Sequence, residues 1–130
     1  MLLRLLRHLA GVAVDPADEE NGCMHYSVGS HLRGNGGGVR GSRPHPEGVP
    51  GFGQALQAGD YRPEDQQAER AMVASPGDLI IHHPLTVHRA GANKTHGANA
   101  RQRRAVGCSY FGASDREEYE RINANMHRQA

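Results

Sequence analysis

The chain has no tryptophan and two phenylalanines, and aromatics make up 5% of its 130 residues. Hydrophobic residues reach only 37%, below the share a globular domain usually carries. Large apolar side chains fill a core, so a deep interior of the chain's own is excluded. Cysteine is scarce as well: Cys23 and Cys108 stand far apart, and neither has a CxxC neighbour. A disulfide framework and a zinc knuckle are excluded, and both residues read as buried thiols in a reducing compartment. No sign of charge dominates, because 15 basic and 14 acidic residues leave a net +1. Nucleic acid is therefore not an expected partner. Arg101, Arg103 and Arg104 do cluster, but no aromatic residue is interleaved with them. Nor is a membrane partner expected: the opening "MLLRLLRHLAGVAV" is too short and too charged to span a bilayer.

Glycine and histidine are what the chain has in surplus, with 17 and 9 residues. Glycine on this scale makes much of the chain turn and loop. Such a chain belongs to a larger unit or buries its surface against a partner, and composition alone points to an incomplete domain. Residues 1–11 are set aside as an N-terminal leader. They read as a short helix or a start leading into a strand, with a targeting peptide as the alternative. Residues 12–130 form the domain portion, with no repeat and no second domain. A soluble, cytoplasmic protein is expected.

Periodicity makes this portion β-rich. "GVAV" (11–14) is a short β-branched strand, and Asn21-Gly22 closes a polar turn before "CMHYSV" (23–28). Those two segments are expected to pair as a hairpin. In the second, Cys23, His25 and Ser27 alternate with Met24, Tyr26 and Val28. Residues 29–61 have no period. Pro63 suits the first turn of a short helix within 62–71, and "MVA" (72–74) is a strand fragment. "SPGD" (75–78) fits a type II turn with Gly77 at positive φ. "LIIHH" and "LTVHRA" are strands broken by Pro84, "GANKTHGANARQ" (91–102) is loop, and "RRAVGCSYFG" (103–112) is a strand. Ser114 and Glu117 have capping-box spacing at the head of a closing helix that carries Tyr119, Ile122 and Met126.

A mononuclear iron site uses two histidines and a carboxylate on one face of the metal. Its first pair comes from alternate residues of one strand, as His-x-Asp or His-x-Glu. Among the nine histidines only His45-Pro46-Glu47 has that form, in a Gly/Pro loop. His82, His83 and His88 are the denser group. His82 and His88 would share a face on an unbroken strand, but Pro84 lies between them.

Three strings in order, "DEENGCMHYSVGSH", "PGDLIIHHPLTVHRAGANKT" and "RRAVGCSYFG", resemble the phytanoyl-CoA dioxygenase family of Fe(II)- and 2-oxoglutarate-dependent oxygenases. The resemblance covers roughly residues 12–120. It implies a mainly β fold, a partial double-stranded β-helix of the jelly-roll or cupin kind, with a short C-terminal helix. It implies Fe(II) as cofactor, 2-oxoglutarate as co-substrate and hydroxylation of a small organic molecule. His88 matches the family's distal iron-binding histidine. Arg103 matches the arginine that grips the far carboxylate of 2-oxoglutarate, and Arg104 takes that place if the register slips by one. Asn21-Gly22 and Gly29-Ser30-His31 match its turn signature, and Asn93 orders the loop after the ligand.

The chain departs from the family pattern in several places. No His-x-Asp precedes "DEENGC", Ala90 stands where relatives often place serine, and Val28 replaces a proline. The expected molecule is thus the C-terminal part of such an oxygenase, with one of three metal ligands and no turnover by itself. His25 is a candidate substrate contact if it points into the barrel. Two other readings stay open. One is a non-catalytic β-helix remnant that binds a partner or itself through open sheet edges. The other is a cupin-like metal binder using His82, His83, His88 and Glu47, against which the absence of His-x-His argues.

Overall fold

A computed structural model describes residues 8–33, 42–43, 55–56, 61–110 and 116. In chain order they form β1 (His8–Ala13), β2 (Met24–Ser27), β3 (Ser42–Arg43), β4 (Ala55–Leu56), α1 (Pro63–Gln67), β5 (Glu69–Met72), β6 (Leu79–His82), β7 (His88–Ala90) and β8 (Ala105–Tyr110). Two three-stranded antiparallel sheets result, ordered β6-β1-β8 and β5-β2-β7, while β3 and β4 pair separately. From β5 onward each strand crosses to the opposite sheet. This is the mainly β, jelly-roll architecture the sequence led us to expect. The expected closing helix, like His45 and Glu47, lies outside the described residues apart from Arg116.

Two expectations about the first sixty residues need correction. Strand β1 begins at His8 rather than at residue 11, because His8 pairs with Tyr110 of β8 and residues 9–11 are flanked by both β6 and β8. The hairpin between residues 11–14 and 23–28 does not form, since β1 and β2 belong to different sheets. Residues 15–22 are not a tight turn but a folded connector that carries the chain across. Asn21 organises it: its side-chain oxygen accepts from the Asp18 amide at 2.8 Å and its amide group donates to the Pro16 carbonyl at 2.7 Å. Buried at 2% exposure, Asn21 thereby satisfies backbone groups that would otherwise be stranded. Ala17 forms an isolated bridge with Ala74, which ties the connector to the end of β5.

The core between the sheets is made of small residues. Ala13, Ala17, Cys23 and Ala74 form its buried cluster, with Ala71 and Ile80 packed against it. Such side chains bury little apolar area, at roughly 25 cal/mol per Å², so polar ties carry more of the fold than usual. Helix α1 shows one. Asp65, fully buried, accepts from the Arg62 amide at 2.9 Å and pairs with Arg33. Ser27 of β2 donates to the Asp65 carbonyl at 3.0 Å, which fixes the helix against the second sheet.

Period-two alternation gives the first sheet two unlike faces. Leu79 and Ile81 are exposed, whereas the alternate residues Ile80 and His82 are half-buried toward the second sheet. Val12 pairs with Leu79 and with Val106, and all three point outward. Cys108 lies on the same outer face, opposite Ala10, and is exposed. That corrects the expectation of a buried thiol; only Cys23 is buried.

Two arginine clamps hold the connector to the approach of β8. Arg104 bonds Asp15 through Nε at 2.8 Å and Nη2 at 2.9 Å, and Arg101 reaches Asp18 at 2.6 Å. The Arg104 hydrogen bonds hold the Asp15 carboxyl at about 2, and those of Arg101 do the same for Asp18. Both values lie below the ordinary 3.8. The folded state therefore binds these protons less readily than the unfolded one. The clamps are intact above about pH 4 and are lost as pH falls toward 2. Urea unfolding midpoints should drop across that window, and an Asp15→Asn/Asp18→Asn double variant should show a shallower drop. Equal slopes would mean that the clamps add nothing.

Candidate active-site cleft

Between the two sheets lies a cleft of about 360 Å³. Its walls are unusually bare: Gly11, Ala13, Ala17, Ala74, Ala105 and Gly107 contribute almost no side chain. An extra Cβ on Gly11 would meet nothing within 4 Å. Against this small-residue lining stand Met24, Met72 and Ile80 and five larger polar groups: Arg103, Tyr26, His82 and the mutually paired Asp15 and Arg104. A gap left by small residues around a cation is a binding space rather than a packed interior.

Arg103 is distinguished from its neighbours by what it lacks. Arg101 is bound to Asp18 and Glu20, Arg104 to Asp15, and Arg89 to Glu69. Among the described residues the Arg103 side chain has no hydrogen-bond or ionic partner. Its charge is felt across the gap, drawing down the pKa of both Cys23 and Tyr26 against the upward push of burial. An unpaired, half-buried guanidinium facing a cleft is suited to a carboxylate, which it can grip through two parallel hydrogen bonds.

At one end of the cleft three rings meet. His88 lies opposite Tyr26 in the β2–β7 register, so the two side chains share a face. Their ring centroids are 5.6 Å apart and nearly parallel at 25°. His82 approaches from the other sheet, 4.6 Å from His88 and 5.0 Å from Tyr26. Pro84 does end the strand, with the Thr86 amide bonding back to the His83 carbonyl at 2.9 Å. The break sends β7 into the opposite sheet, so His82, in the cleft lining, and His88, exposed beside it, meet from facing sheets and not along one strand.

Backbone carbonyls set the histidines' roles. His88 Nδ1 lies 2.8 Å from the Thr86 carbonyl, a contact that requires the proton on Nδ1 and leaves Nε2 with its lone pair. His82 Nδ1 makes the same kind of bond to the His83 carbonyl at 3.2 Å. Burial pushes the His82 pKa down, which favours neutral imidazole. His83 is used differently: its Nδ1 accepts from the Leu85 amide at 3.1 Å within the turn, and its ring lies 5.2 Å from that of His31. Among the described residues no three His, Cys, Asp or Glu side chains converge as a metal set. The cleft thus fits a carboxylate-bearing ligand, while for a metal the described residues offer imidazole and not a complete donor set.

His25 faces away from the cleft. Alternation turns Met24 and Tyr26 inward, and His25 pairs with Glu69 at 3.0 Å on the opposite side. There Glu69 also binds Tyr61 at 2.5 Å and Arg89, and the Arg89 bond holds its carboxyl below the usual range. The role offered for His25 as a barrel contact is therefore withdrawn, and Tyr26 is the residue that the sequence reading missed. Alternation separated the two sets of residues but did not say which set faces inward. The turn residues do structural work: Ser30, buried, accepts from the Val87 amide at 2.8 Å, just before His88. Asn93 donates to the Arg101 carbonyl at 2.7 Å and accepts from the Thr95 amide at 2.9 Å, closing the loop that leads to Arg103.

Two facing antiparallel sheets with a cleft between them define a jelly-roll. A family model for phytanoyl-CoA dioxygenase (PhyH) matches residues 5–104, and the chain belongs to that family. It is 32% identical over 109 residues to the mouse (Mus musculus) protein "Phytanoyl-CoA dioxygenase, peroxisomal", covering 82% of this chain and 28% of that one. A Caenorhabditis elegans protein, "Phytanoyl-CoA dioxygenase domain-containing protein 1 homolog", is 37% identical over 89 residues, 66% of this chain and 30% of its own. The chain therefore spans under a third of the length of these relatives.

Among solved structures, the epimerase SnoN in complex with Fe3+, alpha ketoglutarate and nogalamycin RO superposes with a TM-score of 0.56 at 28% identity. That match covers 83% of this chain and 36% of SnoN. The non-heme alpha ketoglutarate dependent carbocyclase SnoK, at 24% identity and TM-score 0.52, covers 92% of this chain and 46% of its own. The SnoK likeness speaks to the fold alone. Among the described residues no helix is long and apolar enough to cross a membrane.

Proposed function

We propose that the chain, over residues 12–130 and the start of β1 before them, is the C-terminal portion of an Fe(II)- and 2-oxoglutarate-dependent oxygenase. In the complete domain it would act on a small organic substrate. The observation that carries this reading is Arg103, the one described arginine that faces the cleft without a carboxylate partner. In it the Arg103 guanidinium binds the far carboxylate of 2-oxoglutarate and so orients the keto-acid end toward the ring cluster. His88, its tautomer set by Thr86, presents Nε2 to the metal. Ser30 and Asn93 hold the backbone on either side of that histidine. Bound iron would supply the activation of dioxygen, with the keto acid as two-electron reductant: one oxygen atom would enter the substrate C–H bond and the other the succinate, with release of carbon dioxide. Every other part of the task, from anchoring the co-substrate to excluding water with the Ile80 and Met24 side chains, belongs to the protein.

A single histidine leaves Fe(II) largely hydrated, since Fe(II) sits low in the divalent affinity order and needs several well-placed groups. The 130-residue chain supplied with iron, ascorbate and labelled 2-oxoglutarate is thus expected to release no more succinate than its His88→Ala variant. Release clearly above that control would overturn the proposed incompleteness and establish a working site.

A second reading is favoured by the outer face of the first sheet, where Leu79, Ile81, Val106 and Tyr110 are each more than half exposed. With β6 and β8 at the edges of the sheet among the described residues, this face supports a non-catalytic role in which the chain associates with a partner or with itself. A monodisperse monomer in sedimentation would remove it.

A further inference from the structure

We propose that His82 and His88 together form a two-imidazole site for a divalent transition ion such as Zn(II), Ni(II) or Cu(II), bridging the two sheets. The site shares His88 with the reading given above, which assigns no role to His82, and it needs neither 2-oxoglutarate nor Arg103. The rings belong to β6 of the first sheet and β7 of the second, and their centroids stand 4.6 Å apart at 55°. With a metal–nitrogen bond of about 2.0–2.1 Å and a ring centre roughly 1.1 Å behind its nitrogen, two imidazoles on one ion have centroids about 4.5–5.2 Å apart. That span covers the angles from square to tetrahedral, and the observed spacing falls inside it.

Hydrogen bonding selects the same pair. A ligating imidazole characteristically donates its other N–H to a carbonyl or carboxylate, which fixes ring and tautomer. His88 does so to the Thr86 carbonyl at 2.8 Å and His82 to the His83 carbonyl at 3.2 Å, each through Nδ1. Both therefore present Nε2, the outer tip of the ring, with its lone pair. His83 is the counterexample beside them: its Nδ1 accepts from the Leu85 amide at 3.1 Å, so that lone pair is spent on the turn. Tyr26, 8% exposed, packs against both rings at 5.0 and 5.6 Å and holds them in place. His88 is exposed, which gives an ion a way in from solvent, and His82 is half-buried. Since no third His, Cys, Asp or Glu joins the pair among the described residues, water completes the coordination. Two neutral nitrogens without a carboxylate select ions that favour imidazole. Affinity should be highest for Cu(II), then Ni(II) and Zn(II), then Co(II) and Fe(II), with Mg(II) and Ca(II) unbound. Weak retention of Fe(II) agrees with the absence of turnover expected above.

The test is a titration of the untagged 130-residue chain with Zn(II), Ni(II) and Cu(II), without 2-oxoglutarate. Calorimetry should show one site tighter than the rest, and Tm should rise with ion concentration because the bound ion ties sheet to sheet. His82→Phe and His88→Phe, which keep a flat ring, should each weaken binding by about tenfold or more, whereas His83→Phe should change it by less than about twofold. In the wild-type chain, 15N-labelled imidazole resonances should report Zn(II) at Nε2 of His82 and His88, a readout that depends on no variant folding. Electron paramagnetic resonance of bound Cu(II) should count two nitrogens, and one in either variant. Unmoved Nε2 resonances, a single bound nitrogen, or equal affinities in wild type and His82→Phe overturn the proposal, as does binding lost only with His83. Such a failure leaves the oxygenase reading standing, because Arg103 and the co-substrate take no part in the measurement. Conversely, 2-oxoglutarate affinity unchanged by Arg103→Met would remove that reading and leave the imidazole pair untouched.

Discussion

Arg103→Met should weaken 2-oxoglutarate binding by about a hundredfold, since it removes a bidentate, charge-assisted grip from a half-buried position. Arg103→Lys should keep the charge but lose the fork, and recover only part of the affinity. The informative control is Arg104→Met. Arg104 is already engaged by Asp15 through two of its nitrogens, so its removal should lower stability and leave affinity nearly unchanged. The reverse pattern, with affinity lost at 104 and kept at 103, would mean that the family register is displaced by one residue. Titration calorimetry or ligand-detected NMR on the three variants separates these outcomes.

Gly22→Ala should be the most damaging single substitution in the connector. Gly22 has φ of +88°, and a Cβ there would lie 2.5 Å from the Gly91 carbonyl oxygen and 3.1 Å from Ala92 and Asn93 backbone atoms. None of these is a flexible side-chain end that can swing away. The Gly91 amide is itself bonded to the Cys23 carbonyl at 2.9 Å, so the loop after His88 cannot retreat without breaking that bond. Left-handed strain and backbone overlap together should cost about 3 kcal/mol. In a domain of this size that corresponds to a fall in Tm of roughly 10–20 °C. Gly29, at φ of +77° with open space around it, provides the comparison. Its alanine variant should carry only the conformational strain, about 1 kcal/mol. Equal costs at the two positions would show that the Gly22–Gly91 approach is soft.

These two positions illustrate what could be read from the sequence and what could not. The order of three strings singled out Arg103, which the structure puts in the cleft lining, and Asn21-Gly22; the strand over 24–27 was legible through its alternation and those over 79–82 and 105–110 as apolar runs. Chain direction between sheets was not legible. Asn-Gly after a polar run is a hairpin signal locally, and only the contacts of Asn21 with Pro16 and Gln102 reveal a crossing. Tyr26 and His25 are adjacent, and choosing between them requires knowing which face of β2 looks inward. Period-two alternation fixes the two sets of residues but not the face each set takes. The meeting of His82 with His88 was hidden for the same reason, because a proline read as an obstacle along a strand is here the device that moves the chain to the facing sheet.

The clamps on either side of Arg103 have a consequence for how it would receive a ligand. With Arg101 fastened to Asp18 and Arg104 to Asp15, the peptide segment between them is tethered at both ends. The intervening guanidinium is then suspended from a span that has already surrendered most of its backbone freedom. An anion arriving there has little motion left to quench, so recognition can be quick and undemanding even in a domain whose interior is built largely from alanine.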